Sequence, residues 1–248
     1  MRTLRSQAGV TLIEVIVAVT LLSVLSVAML FAMRIGLLTF QKANTKLMEN
    51  RRVAGAQRIL EDQIEGLMPV VAPCTGMDGS LGAQFAFFQG DPQNLRLVST
   101  YSLQQGWRGQ AQILEFTVIP GDKGAGVRLI VNELAYDGPP NAGRLCKGFI
   151  PDPNLGIMLP QFSAVVASPS SFVLADKLQF CRFSFLTADP RQPLVPPVWK
   201  PSWAMTGWPR GIRIEMAPLQ EDSSTLQPIT VTAPIRLRRS PEIPYVDF

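Results

Sequence analysis

The chain has 248 residues, a formal net charge of +4 and no histidine. Without histidine, Ser-His-Asp and Cys-His nucleophilic sites are excluded, and with them the commonest general base and most zinc and copper sites. The charge is modest, and its densest cluster, Arg236-Leu237-Arg238-Arg239, reads as a solvated strand end rather than a nucleic-acid stripe.

A short leader carrying Arg2 and Arg5 ends at Gly9, and Val10-Thr11-Leu12-Ile13-Glu14 then opens an apolar run that reaches Ala32. Glu14 is the only charge within it. The run is about 23 residues, which as a helix covers about 34 Å against a hydrocarbon core of about 30 Å. A cleavable secretory signal has an apolar region of only about 7–15 residues, so a spanning helix fits better. The slightly positive mean hydropathy of +0.18 owes its excess to this segment.

All 21 prolines lie at or after Pro69. Proline costs about 3 kcal/mol in a helix interior, so the proline-free stretch is predicted as one helix of roughly 55 residues. Its second half turns amphipathic. Val53, Ala56, Leu60, Ile64 and Leu67 share one face, while Gln57, Arg58, Glu61, Asp62 and Glu65 take the others. Gly66 and Pro69 are predicted to stop the helix, and Gly36 and Gly55 to bend it. No strict heptad runs through it, which argues against a coiled coil.

The region 69–248 reads as β-rich. Gln112–Ile119 and Val127–Tyr136 alternate apolar and polar residues, and the glycine-rich segment 121–126 joins them as a hairpin loop. That segment lacks the Lys-Ser/Thr ending and following helix of a phosphate loop. Further strands are predicted at Gln84–Gln89, Leu95–Leu103, Leu178–Leu186, Gly211–Met216 and Ile229–Arg238, with Pro234 marking the last as an edge strand or bulge. Between them, the proline-rich segment 190–209 carries Trp199, Trp203 and Trp208. Aromatic side chains of that kind are expected to pin the loop to the core. Of the three cysteines, Cys74 and Cys146 sit in Pro/Gly-rich loops and could pair in an oxidising compartment. Cys181, in an alternating strand, reads as a small buried hydrophobe. The sequence does not choose among the pairings.

An ionised carboxylate at the bilayer centre costs about 2.5–3.5 kcal/mol on insertion scales. Glu14 lies about 6 Å along the helix from Val10, close enough to reach the interface. It also fits a positively charged partner in the same apolar environment. On the side of the membrane, the charges argue one way. Arg34, Lys42, Lys46, Arg51 and Arg52 follow the span with only Glu49 opposed, which on the positive-inside rule would leave the following region in the cytoplasm.

The basic leader ending in Gly9, the residues Val10-Thr11-Leu12-Ile13-Glu14 and the long apolar run together resemble the class III signal of type IV pilins and of the pseudopilins of type II secretion. The resemblance implies that a prepilin peptidase cuts between Gly9 and Val10 and N-methylates Val10. It implies that Glu14 pairs with the N-terminal amine of a neighbouring subunit during filament assembly. It also implies the opposite orientation to the charge rule, with a single pass through the inner membrane and the C-terminal domain in the periplasm. Val10 stands where phenylalanine or methionine is usual, so slower processing is expected. The span lacks the mid-helix proline of many pilins, so less local melting on assembly is expected.

Further on, the strand Leu178-Gln179-Phe180-Cys181-Arg182-Phe183-Ser184-Phe185 precedes Trp199 and Trp203. Trp208-Pro209-Arg210-Gly211-Ile212-Arg213-Ile214 and Ile235-Arg236-Leu237 follow. This order resembles the J-type minor pseudopilin. The resemblance implies a non-enzymatic role at the pseudopilus tip, with I-type and K-type minor pseudopilins and the major pseudopilin as partners alongside inner-membrane lipid. No cofactor, metal or nucleic-acid partner is expected, and no D-x-D-x-D-G calcium loop occurs. A minor pilin of a type IV pilus or DNA-uptake system would share the leader, span and β-rich domain. A membrane-anchored enzyme would need a catalytic constellation that the sequence does not present. The expected fold is α+β and pilin-like. Residues 1–9 would be the leader, 10–33 the transmembrane half of the helix, 34–68 its amphipathic half and 69–248 the β-rich periplasmic domain.

Overall fold

The computed structural model describes residues 10–75, 81–104, 107–153, 156–187, 196–219 and 229–235. The chain divides into two compact units, residues 1–51 and 52–248. One helix, α1 (Leu12–Glu65), contributes to both and runs through Gly36 and Gly55 without a break. In the first unit, the helix from Leu12 to Asn44 is apolar and wholly unburied. This long apolar helix followed by a β-rich globular domain is the expected α+β, pilin-like arrangement.

In the second unit the hairpin β1 (Val71–Thr75) and β2 (Leu81–Ala86) comes first. The short β3 (Gln89–Gly90) follows, then β4 (Asn94–Ser102), β5 (Trp107–Pro120) and β6 (Val127–Ala135). A one-turn helix, α2 (Pro139–Gly143), leads into a second hairpin, β7 (Cys146–Asp152) and β8 (Ile157–Phe162). The long β9 (Phe172–Thr187), the short β10 (Val198–Lys200), β11 (Gly211–Pro218) and β12 (Ile229–Pro234) complete the described strands. The main sheet is ordered β12-β11-β9-β6-β5-β4-β3, with β10 paired to β9. All its pairings are antiparallel.

Both faces of this sheet are covered, because strand side chains alternate between two cores. Leu60, Ile64 and Leu67 of α1 pack with Leu97, Leu114, Phe116 and Phe183 in one cluster. Val98 and Ile113, the alternate residues, belong instead to a second cluster with Ala72, Phe85, Phe87 and Ala142. The end of α1 is clipped to β4. Ser99 Oγ donates to the Gln63 carbonyl at 2.7 Å, and the Thr100 and Met68 amides bond to Gly66 and Val98 carbonyls at 2.8 Å. Gly66 is needed here for space. A Cβ on it would lie 2.6 Å from Ser99 Oγ.

Sequence periodicity located β4, β6 and β11 closely and the second part of β5, which begins earlier, at Trp107, and Pro234 closes β12 at the sheet edge. The residues 236–238 of that predicted strand, and the cluster to Arg239, lie outside the described residues. The Gln84–Gln89 segment is split: β2 ends at Ala86 and β3 begins at Gln89. Strand β9 starts six residues before Leu178, since Lys177 at φ 54° interrupts its alternation. Cys74 and Cys146 are in strands β1 and β7, not in loops. Prolines disguised these segments, yet proline is tolerated in two-stranded ribbons, where a free edge needs no N–H.

The Trp-bearing segment is anchored as expected. Trp203 lies edge-on to Phe88 at 6.2 Å, and its Nε1 donates to the Gly207 carbonyl at 3.0 Å. Trp208 packs against the same core. Trp199 on β10 instead carries the Arg213 guanidinium 4.0 Å above its ring.

Polar chemistry joins the second hairpin to the sheet. Arg96 on β4 is fully buried, with its Nη2 2.6 Å from Glu115 Oε1 on β5. Its Nε also donates to Glu115 Oε1 at 2.8 Å, its Nη1 to Gln89 Oε1 at 2.6 Å and its Nη2 to the Ser163 carbonyl at 2.9 Å, and its Cζ sits 5.1 Å from the Phe162 ring centre. Burial pulls the guanidinium below its ordinary pKa, while the Glu115 carboxylate opposes that shift. Breaking such a pair by removing one partner costs about 3–5 kcal/mol.

A disulfide joins Cys74 to Cys146 across 72 positions, with Cα atoms 5.3 Å apart. On the chain-entropy model a closure of that length stabilises the fold by roughly 4 kcal/mol. Cys181 is a buried free thiol whose pKa burial pushes up to about 12. Thiol titration in guanidinium without reductant should therefore give one thiol per chain, and the native chain should react far more slowly; three thiols would contradict the bond. Leu60→Ala removes a fully buried side chain between helix and sheet and should cost about 2–5 kcal/mol. Denaturant unfolding followed by tryptophan fluorescence would measure it.

Candidate functional site

The features that carry chemistry for assembly sit at the start of α1. Val10 and Thr11 precede the helix, and the Thr11 carbonyl accepts from the Glu14 amide at 3.1 Å and the Val15 amide at 3.3 Å. Glu14 therefore lies in the first turn, where unpaired N–H groups and the helix dipole favour a negative charge. Its side chain is exposed, as is Val10. An amine created at Val10 would be about 6 Å from Glu14 along the axis. Gly9 and the leader with Arg2 and Arg5 lie outside the described residues.

The stretch Leu12–Asn44 is 33 residues long, and an 18-residue window within it has a mean hydropathy of 2.7. It extends about 50 Å as a helix, more than enough to cross a hydrocarbon core of about 30 Å. Leu12, Ile13, Leu22 and Leu30 are each more than 65% exposed, and from Leu12 to Met33 Glu14 is the one charged residue. Three hydroxyls in the stretch are satisfied within the helix. Thr20 Oγ1 donates to the Val17 carbonyl at 2.9 Å, and Ser23 and Ser26 donate to the Val19 and Leu22 carbonyls at 2.8 Å. Such back-bonding lets a hydroxyl enter lipid without an orphaned donor. A single apolar helix of this kind suggests a membrane anchor. Of the basic residues that follow, Arg34 and Lys42 are exposed; the side chains of Lys46, Glu49, Arg51 and Arg52 lie outside the described set.

In the second unit, the predicted pair Cys74 and Cys146 is brought together by the β1–β7 approach, aided by Gly143. A Cβ there would lie 1.9 Å from the Pro73 carbonyl oxygen. Among the described residues no group of three or more His, Cys, Asp or Glu is arranged to hold a metal ion. Sequence reasoning missed a cleft beside β2 and β8, lined by Phe85, Phe149, Phe162 and Trp203. Its walls come from distant segments, and no local pattern announces it.

Residues 4–30 match the family model of the prokaryotic N-terminal methylation motif. No curated protein matches the chain. The matched segment holds Gly9, Val10 and Glu14 and runs into the apolar helix, ahead of a β-rich domain. The motif and this arrangement together support a type IV pilin-like protein.

Proposed function

We propose that the chain is a minor pseudopilin of a type II secretion system, acting without catalysis in the tip complex that starts the pseudopilus. The carrying observation is the N-terminal methylation motif over residues 4–30 at the head of an unburied apolar helix. In this reading a prepilin peptidase removes residues 1–9 and methylates Val10. The helix then moves from lipid into a filament core formed by neighbouring subunits. Glu14 meets the amine of an adjacent subunit there, and the ion pair offsets the cost of keeping a carboxylate in an apolar medium.

The J-type assignment draws support from how its motif residues assemble. β9 pairs with both β10 and β11, and Arg213 of β11 lies over Trp199 of β10. The elements that carry the resemblance thus make one continuous region of the sheet, closed by β12. I-type and K-type minor pseudopilins are its proposed partners, with the major pseudopilin added behind them. A periplasmic position for the domain, on an inner-membrane anchor, is favoured by the Cys74–Cys146 bond, since disulfides persist in oxidising compartments. That argument opposes the positive-inside count and agrees with the leader.

Capture by the full-length chain in detergent tests the assignment: I-type and K-type subunits should be retained, and retention of type IV minor pilins alone would move the protein to a pilus. Glu14→Ala should insert and be cleaved normally but assemble poorly, and normal secretion in that variant would remove the role given to Glu14. In Gly9→Leu the leader should stay attached, which immunoblotting would reveal as a slower band. A mature start at Val10 in that variant would refute the cleavage assignment.

A further inference from the structure

The cleft beside the two hairpins has a volume of about 820 Å³. Among the described residues β2 pairs only with β1, and β8 only with β7. Residues 83–86 of β2 and all of β8, 157–162, border the cleft without a gap. Side chains alternate between faces along a strand. An unbroken run along a wall therefore means that the strand edge, with its N–H and C=O groups, faces the opening. Among the described residues, no backbone hydrogen bond from outside the two hairpins reaches 82–86 or 157–162.

The interior is apolar and aromatic. Phe85 stands edge-on to Phe149 at 6.0 Å and to Phe162 at 5.7 Å, and Met158 lines the cleft with about half its surface exposed. Asp91 is the only ionisable lining residue among the described residues, and its carboxylate accepts from Gln89 Nε2 at 2.8 Å. The side chains of Gln84 and Gln161 on the walls make no hydrogen bond to other described residues. The cleft thus offers unpaired backbone groups, an aromatic interior and little charge. That combination suits a polypeptide in extended form more than an ion, a helix or a charged metabolite.

We propose that this cleft receives an extended segment of another protein as an added strand along β2. β2 is the pairing edge because it contains no proline, whereas Pro160 removes an N–H from β8. A segment of about six residues, roughly 20 Å long, matches the edge. Its alternate side chains are apolar and uncharged, and rest on Phe85, Phe149 and Phe162. The inference does not depend on the filament reading.

The test is a selection of displayed random peptides of about ten residues against the full-length chain in lipid nanodiscs. Enriched sequences should alternate apolar and polar residues, and the synthetic peptides should slow amide exchange at residues 82–86. Met158→Asp, which adds a charge at the exposed rim, should weaken them at least about tenfold. N-methylating one alternate set of peptide amides should do the same in the unaltered protein, because it removes the strand hydrogen bonds and keeps the side chains. Enrichment no greater than against Met158→Asp would overturn the proposal. So would binders with helical spacing, or binders whose affinity survives N-methylation of either set.

Discussion

Between Leu12 and Asn44 the chain presents 33 helical residues of which none is buried. Full burial of a leucine, valine or isoleucine is worth about 1.5–3 kcal/mol, so the exposed stretch represents on the order of tens of kcal/mol. Native domains hold together by only about 5–15 kcal/mol. Water is a costly environment for this segment, which suggests a membrane anchor. That setting explains why hydroxyls here bond back to their own helix and why the one acidic residue sits in the first turn. A helix with such a surface is compatible with lipid and with other apolar helices alike.

The second unit solves a different problem. A sheet with apolar residues on both faces needs two covers, and this one has α1 on one side and the paired hairpins on the other. Each cover is fixed by polar as well as apolar contacts. Ser99 and Gly66 set the helix end, while Arg96 and the disulfide hold the hairpin layer. Polar fixation of that sort costs desolvation but leaves few alternative registers. Among the described residues it also leaves β2 and β8 each with one unpaired edge beside an aromatic cleft.

Much of this was legible in the sequence. The absence of proline before Pro69 predicted the long helix, and the stripe through Leu60, Ile64 and Leu67 predicted its buried face, because helical periodicity is local. The alternation of Gln112–Ile119 and Val127–Tyr136 predicted β5 and β6 for the same reason. The candidate assembly residues Gly9, Val10 and Glu14 came from a family resemblance, which was legible because the leader, the glycine, the apolar run and the glutamate that carry it lie within one short segment. What escaped is non-local. Arg96 and Gln63 are fully buried against the rule that polar residues face water. Only the surrounding layers make that possible for Arg96. For Gln63, neither side-chain polar atom has a partner among the described residues, and nothing in the structure explains its burial. The second hairpin was hidden by Pro151 and Pro160, whose cost vanishes at a sheet edge.

The central claim is that residues 4–30 are a processed signal and not merely an anchor. Intact-mass and N-terminal fragment analysis of the membrane-extracted chain tests it most directly. The account predicts a chain that begins at Val10 and carries one added methyl group on its amine. A chain that retains Met1–Gly9, or is cut at another position, would contradict it.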